Sequence, residues 1–240
     1  MLTPTSLFDP SALLERAERL VKAARAAGAD AADAVAVRAV SVSVEVRDGA
    51  VEESESAEGD DLGLRVLVGR KQAVVSTNDM AGDGFAALAE RAVAMARVAP
   101  EDKYAGLADV SELAKSIPDL DLMDGKMPSV AELEATARAA EAAGMAVKGV
   151  SKSGGASASA GIGGMVLVTS HGFTGAYLGS SHGVSMTAIA GEGTGMERDY
   201  DYSSVRHLAD LEDPATIGRT AGERAIARLN PRKVTTRKVP

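Results

Sequence analysis

Apolar residues first recur at helical spacing. After Asp9-Pro10-Ser11, residues Leu13, Leu14, Ala17, Leu20, Val21 and Ala24 line one face and Gly28 supplies a stop, so the pattern predicts an amphipathic helix. The period then changes to two. ADAVAVRAV and VSVSVEVRDGAVEE alternate small or apolar residues with polar ones, and Asp48-Gly49 is a turn dipeptide, which predicts an antiparallel hairpin or meander with one wet face. DLGLRVLVGRKQAVVSTN continues the alternation through Leu62, Leu64, Val66 and Val68, bends at Gly69 to Lys71, and resumes from Ala73 to Ser76. Phe85, Leu88, Ala92 and Met95 then mark a second helix over about Gly84 to Val98.

Periodicity is lost from Pro100 to Met127, where prolines and aspartates predict a connector along the surface. Ser129 and Glu132 in SVAE have capping-box spacing and predict a third helix over Ser129 to Ala143. From Val147 onward short alternating segments are broken by Gly and Ser, until DPATIGRTAGERAIARL returns to helical spacing. Helix, meander, helix thus occurs twice. An amphipathic helix and a one-faced sheet must each bury a surface, so the expected class is α+β, with two lobes, each a curved antiparallel sheet backed by helices. The expected division is 1–99, a connector at 100–127, and 128–240 leading towards a further C-terminal domain.

Composition narrows the chemistry. Of 240 residues 45% are hydrophobic but only 3% aromatic, so the core is built from Val, Leu, Ile, Met and Ala. Platforms of stacked aromatic rings for nucleic acid are short of material, and a net charge of -8 would repel a phosphate backbone, so no nucleic-acid partner is expected. The absence of cysteine excludes disulfides, thiolate metal sites and cysteine nucleophiles. The N-terminus lacks a basic start followed by an apolar run, and no run of eighteen apolar residues occurs, so the expected location is the cytoplasm, with no membrane association.

The candidate chemistry is sparse. Zinc peptidase motifs place two histidines one helical turn apart with a glutamate between, and His171, His182 and His207 have no such spacing. Ser170-His171 and Ser181-His182 are adjacent, and on a strand adjacent side chains point to opposite faces. No GxSxG elbow occurs, and the Gly/Ser tract from Ser151 to Gly164 has no phosphate-loop spacing. No catalytic, cofactor or metal residue is therefore assigned. Glu52, Glu53, Glu55, Glu58, Asp60 and Asp61 read as a solvated face or as a cradle for a basic peptide or a weak cation site. The polar cluster GEGTGMERDYDYSS reads as a salt-bridge network or a partner-facing edge, and its Glu192, Glu197, Arg198, Asp199 and Tyr200 are the candidate interface or peptide contacts. An exposed meander edge would accept an extended peptide as an added strand.

The order of these segments resembles the N-terminal half of the TldD/PmbA family, and its PmbA (TldE) branch in particular. The resemblance runs through GADAADAVAV, VSVEVRDGAVEESE, DLGLRVLVGRKQAVVSTND, YAGLAD, PDLDLMD and TSHGFTGAYLGSSHG, with GMERDYDYS and LNPRKV its most specific segments. It implies a chain of about twice this length. It also implies a cytoplasmic heterodimeric metallopeptidase in which a TldD-like subunit holds zinc or another divalent metal, while the TldE-type subunit carries no metal and shapes the chamber. The implied substrates are small or unfolded peptides, including microcin B17 precursors and the antitoxin CcdA. No catalytic residue transfers to this chain. The alternative is a peptide- or protein-binding scaffold without peptidase activity.

Overall fold

A computed structural model describes residues 10–238, so Asp9 and the terminal Val239-Pro240 lie outside the described residues. The chain runs through helix α1 (Pro10–Ala26), strands β1 (Ala31–Arg47), β2 (Ala50–Val68) and β3 (Lys71–Thr77), and helices α2 (Phe85–Val98) and α3 (Val130–Met145). Strands β4 (Val150–Thr169), β5 (Thr174–Ala190) and β6 (Glu197–Val205) and helix α4 (Pro214–Ala227) follow. The connector before α3 holds a single short 3-10 turn, Val110–Glu112.

The strands form one six-stranded, largely antiparallel sheet in the order β3-β2-β1-β4-β5-β6. The expectation of a separate sheet in each lobe gives way to this single sheet because β1, β2, β4 and β5 are 17, 19, 20 and 17 residues long. Each of them contributes to both of two compact units. The first comprises residues up to Val40, Ala57–Gly125 and Ile162–Ser180, and the second comprises Ser41–Ser56, Lys126–Gly161 and the chain from Ser181. The short segments expected after Val147 are likewise two long strands, since glycine interrupts the apolar alternation without interrupting the ladder.

In the first unit α1 and α2 bury Leu13, Leu20, Phe85 and Val93 among Ala32, Ala34, Ala36, Leu62, Leu64 and Val66. In the second, Ile217, Ala221 and Ala225 of α4 pack on Val184, Met186, Ala188 and Ala190. Leu133 and Ala137 of α3 pack on Val44, Val46, Ala158 and Ala160. Large side chains each gain about 1.5–3 kcal/mol on burial, so Leu20, Leu62, Leu64, Met186 and Ile217, all fully buried, carry most per residue. The many alanines contribute less each, but they let helices lie close to the sheet.

Local signals are met where they are specific. Ser129 accepts from the backbone N–H of Glu132, and the Glu132 carboxylate takes the Ser129 N–H at 2.8 Å, closing the capping box of α3. Asp213 caps α4 by accepting from Thr216. Asp48 and Gly49 have φ of 52° and 73°, the pair of left-handed residues that a two-residue hairpin turn requires.

Candidate functional site on the open face of the second unit

Strand β6 lies at one edge of the sheet, and its alternation sorts the polar cluster onto two faces. Glu197, Asp199 and Asp201 are half-buried on the side of α4. Arg228 pairs with Asp199, and Arg224 pairs with Asp201 at 2.7 Å. Asp199 also accepts the Tyr200 N–H at 2.8 Å. That hydrogen bond, followed by the one from Arg228, holds the Asp199 carboxyl below the usual carboxylate range. Arg224 completes the edge by donating to the Tyr200 carbonyl at 3.1 Å. At Tyr200, therefore, both backbone groups are occupied by side chains of the same unit, and an added strand would have to displace them.

Arg198, Tyr200 and Tyr202 point away from α4 and are exposed. The two tyrosine rings stack with centroids 6.2 Å apart and planes 25° apart. Glu192 is exposed just before the short turn Gly193–Gly195 that leads into β6. Of the five expected contacts, the fold brings Arg198 and Tyr200 together on the open face, turns Glu197 and Asp199 towards the helix, and places Glu192 on the preceding turn.

The pairing of β5 with β6 extends this face. Tyr202 lies opposite Ser185, Tyr200 opposite Thr187 and Ser204 opposite Gly183. On β4 the Ser157 hydroxyl is 2.9 Å from that of Ser185. A Cβ at Gly183 would meet the Ser159 hydroxyl at 3.1 Å, and one at Gly154 would meet the Thr187 methyl at 2.7 Å. The result is an uncharged floor of Ser157, Ser159, Gly183, Ser185 and Thr187, walled on one side by the tyrosines. On the other side, Gly155 adopts φ of +103°, and a Cβ there would fall 2.8 Å from Oε1 of Glu45. The irregular step at Gly155 thus leaves room for the Glu45 carboxylate to reach over the strand. Arg47 lies 3.6 Å from Glu45 and 2.8 Å from Glu52, so two carboxylates share one guanidinium.

The described residues do not gather into a metal site. His171 is exposed on the β4–β5 turn, His182 is buried within β5, and His207 precedes the short turn Leu208–Asp210. Among the described residues no group of three or more histidine and carboxylate side chains is placed to hold an ion. Nor is any described helix long and apolar enough to cross a membrane. Within the acidic run, Glu52 pairs with Arg47, while Glu58 and Asp60 pair with Arg38. Glu45 and the Ser/Thr floor are not among the expected contacts. The available signal was alternation carried through the Gly/Ser tract, with hydroxyls on one phase and alanine, valine and methionine on the other.

Comparison with known proteins places these features in context. Residues 32–96 match the family model described as PmbA/TldA metallopeptidase domain 1, and residues 124–229 match the PmbA/TldA metallopeptidase central domain. The chain is 34% identical over 212 residues to metalloprotease PmbA of Escherichia coli O157:H7, covering 88% of this chain and 47% of that protein. It is 33% identical over 222 residues to the metalloprotease PmbA homolog of Haemophilus influenzae, covering 92% and 49%. The chain thus spans about half the length of these curated relatives. Two crystal structures share the fold. A candidate modulator of DNA gyrase from Bacteroides thetaiotaomicron superposes with a TM-score of 0.83 at 24% identity, over 92% of this chain and 51% of that one. TldE from Thermococcus kodakarensis gives 0.69 at 15% identity, over 87% and 47%.

Proposed function

The chain belongs to the PmbA/TldD metallopeptidase family, and from that membership we propose that it is part of the non-catalytic, TldE-type subunit of a cytoplasmic peptidase assembly. The observation that carries this reading is the match to two family domains together with 33–34% identity to two PmbA proteins. In this reading a TldD-like partner holds zinc or another divalent ion, and the present chain shapes the chamber for small or unfolded peptides. The two matched ranges support dividing the chain into a first lobe at 1–99, a connector at 100–127 and a second lobe at 128–240.

Arg198 and Tyr200 are the proposed peptide or interface contacts, with Glu192 on the adjoining turn and with Glu197 and Asp199 backing them from the helix side. The open face of the second unit also favours a second reading, a peptide-binding scaffold that works without hydrolysis.

Peptide cleavage by the full-length protein, alone and mixed with a TldD-like partner, separates the two when bound zinc is measured in each sample. Cleavage and stoichiometric zinc only in the mixture are the expected result. Binding of peptide with no cleavage in either sample selects the scaffold. Zinc and turnover in the unpartnered protein overturn the non-catalytic assignment.

A further inference from the structure

The open face of the second unit has a directional charge pattern. At the β1 side, Glu45 and Glu52 share Arg47, leaving one uncompensated negative charge above Gly155. At the β6 side, Arg198 is exposed and makes no ion pair among the described residues. Between them lie glycine, hydroxyl groups, the two tyrosine rings and Ile189, which is opposite Arg198.

Strands β1, β4, β5 and β6 are consecutive in the sheet. Three inter-strand steps of about 4.8 Å separate β1 from β6, roughly 14 Å. An extended chain advances about 3.5 Å per residue, so four or five residues bridge that distance. The charges at its two ends are then complementary to the two ends of the face.

We propose that this face binds a short extended peptide lying across the strands, its amino terminus over Glu45 and its carboxylate at Arg198. The inference rests on the peptide-handling reading above and gives it a site, a length class and a direction. Ser157, Ser185 and Thr187 offer hydroxyls to the peptide amides, which every sequence has. Tyr200 and Tyr202 offer ring faces that accept side chains of many kinds at little entropic cost. Recognition therefore falls on the chain ends and the backbone, and the side chains of the peptide matter little. Polar partners at the ends set the register, because a peptide longer or shorter than the span cannot satisfy both.

Calorimetric titration of the full-length protein with tetra-alanine tests this. Three forms of the peptide are used, with free ends, with an acetylated amine, and with an amidated carboxyl. Acetylation is expected to weaken binding at least fivefold in the native protein and to have no effect in Glu45→Gln. Amidation is expected to weaken it at least fivefold in the native protein and to have no effect in Arg198→Gln. The Tyr200→Ala/Tyr202→Ala variant weakens all three forms, whereas Tyr104→Ala, an exposed tyrosine of the first unit, leaves them unchanged. Equal binding of free and capped peptides, end dependence that survives in both charge variants, or no binding of tetra-alanine overturns the proposal. Cleavage with the TldD-like partner is read separately. Cleavage without tetra-alanine binding removes this site and leaves the subunit reading, and binding without cleavage removes the peptidase reading and leaves the site.

Discussion

Glu141 holds the tip of the first hairpin. Its carboxylate, on α3 and only 4% exposed, accepts the Asp48 N–H through one oxygen and the Gly49 N–H through the other, each at 2.8 Å. Arg138, one helical turn earlier, donates to the Gly49 carbonyl. A turn with two left-handed residues presents its amides outward, and a buried carboxylate is a strong acceptor for both. Replacing Glu141 by Ala strands these two donors and is expected to cost about 3 kcal/mol, at the upper end of the penalty for unsatisfied groups. Glu141→Gln keeps one acceptor and is expected to cost about 1–2 kcal/mol. Urea denaturation of both variants checks the order, which reverses if Glu141 is strained in place.

The α3–α4 contact depends on glycine. A Cβ at Gly218 would overlap the carbonyl of Ala140, and one at Gly222 would meet Val147 Cγ2 at 2.7 Å and the Gly144 carbonyl oxygen at 3.0 Å. Alanine gains about 1 kcal/mol of helix propensity over glycine, while forcing a methyl into a packed contact costs about 1–3 kcal/mol or more. Since the obstruction at Gly218 is backbone, which cannot rotate away, packing outweighs propensity. Gly218→Ala is expected to lower the melting temperature, while Gly106→Ala, with open space around its Cβ, is expected to leave it nearly unchanged.

Acid should weaken the cap of α3. The hydroxyl of Ser129, followed by its backbone N–H, holds the Glu132 carboxyl below its usual range. A carboxyl whose folded pKa is depressed contributes stability above the unfolded value of about 4.3 and loses it as pH falls through the folded value. Glu132→Ala is therefore expected to melt below the native protein at neutral pH, with the gap closing in acid. A gap independent of pH would assign the contribution to packing. Asp199 has the same sign, so the hold of α4 on β6 should loosen over the same acidic window.

The elements legible in the sequence were those specified by neighbours along the chain. The α1 stripe, the Asp48-Gly49 turn and the Ser129–Glu132 capping box each depend on residues a few positions apart, and each occurs as expected. The sharing of one sheet between two units depends on the pairing of β1 with β4, residues more than a hundred positions apart, which no local period encodes. The polar cluster of β6 was visible as a cluster, but which members face the helix depends on where α4 packs. Glu45 was hidden for a different reason. Its partner on the open face is Gly155, and a residue that acts by having no side chain leaves no chemical signal beside a Gly/Ser tract.

Two stretches of sheet edge, along β6 and along the free part of β2, should behave differently towards association. Along β6, Asp199 occupies the Tyr200 N–H and Arg224 its carbonyl, so the edge is blocked by charge at its centre. Along β2, only Leu62–Val68 pair with β3, and Ala50–Asp61 extend beyond it with almost every residue exposed, guarded by the charges of Glu53 and Glu55, since Glu52 and Glu58 pair with Arg47 and Arg38. Charged side chains on an edge are a common defence against edge-to-edge pairing, but the two mechanisms respond differently to salt. Repulsion along β2 is screened over about 8–10 Å near physiological ionic strength, whereas the hydrogen bonds at Tyr200 persist. Light scattering of the native protein should therefore show association rising with salt, and Glu53→Gln/Glu55→Gln should produce it at low salt. Asp199→Ala/Arg224→Ala should associate at any salt concentration. If the native protein stays monodisperse in molar salt while the β6 variant does not, the β2 edge is guarded by something other than its charge.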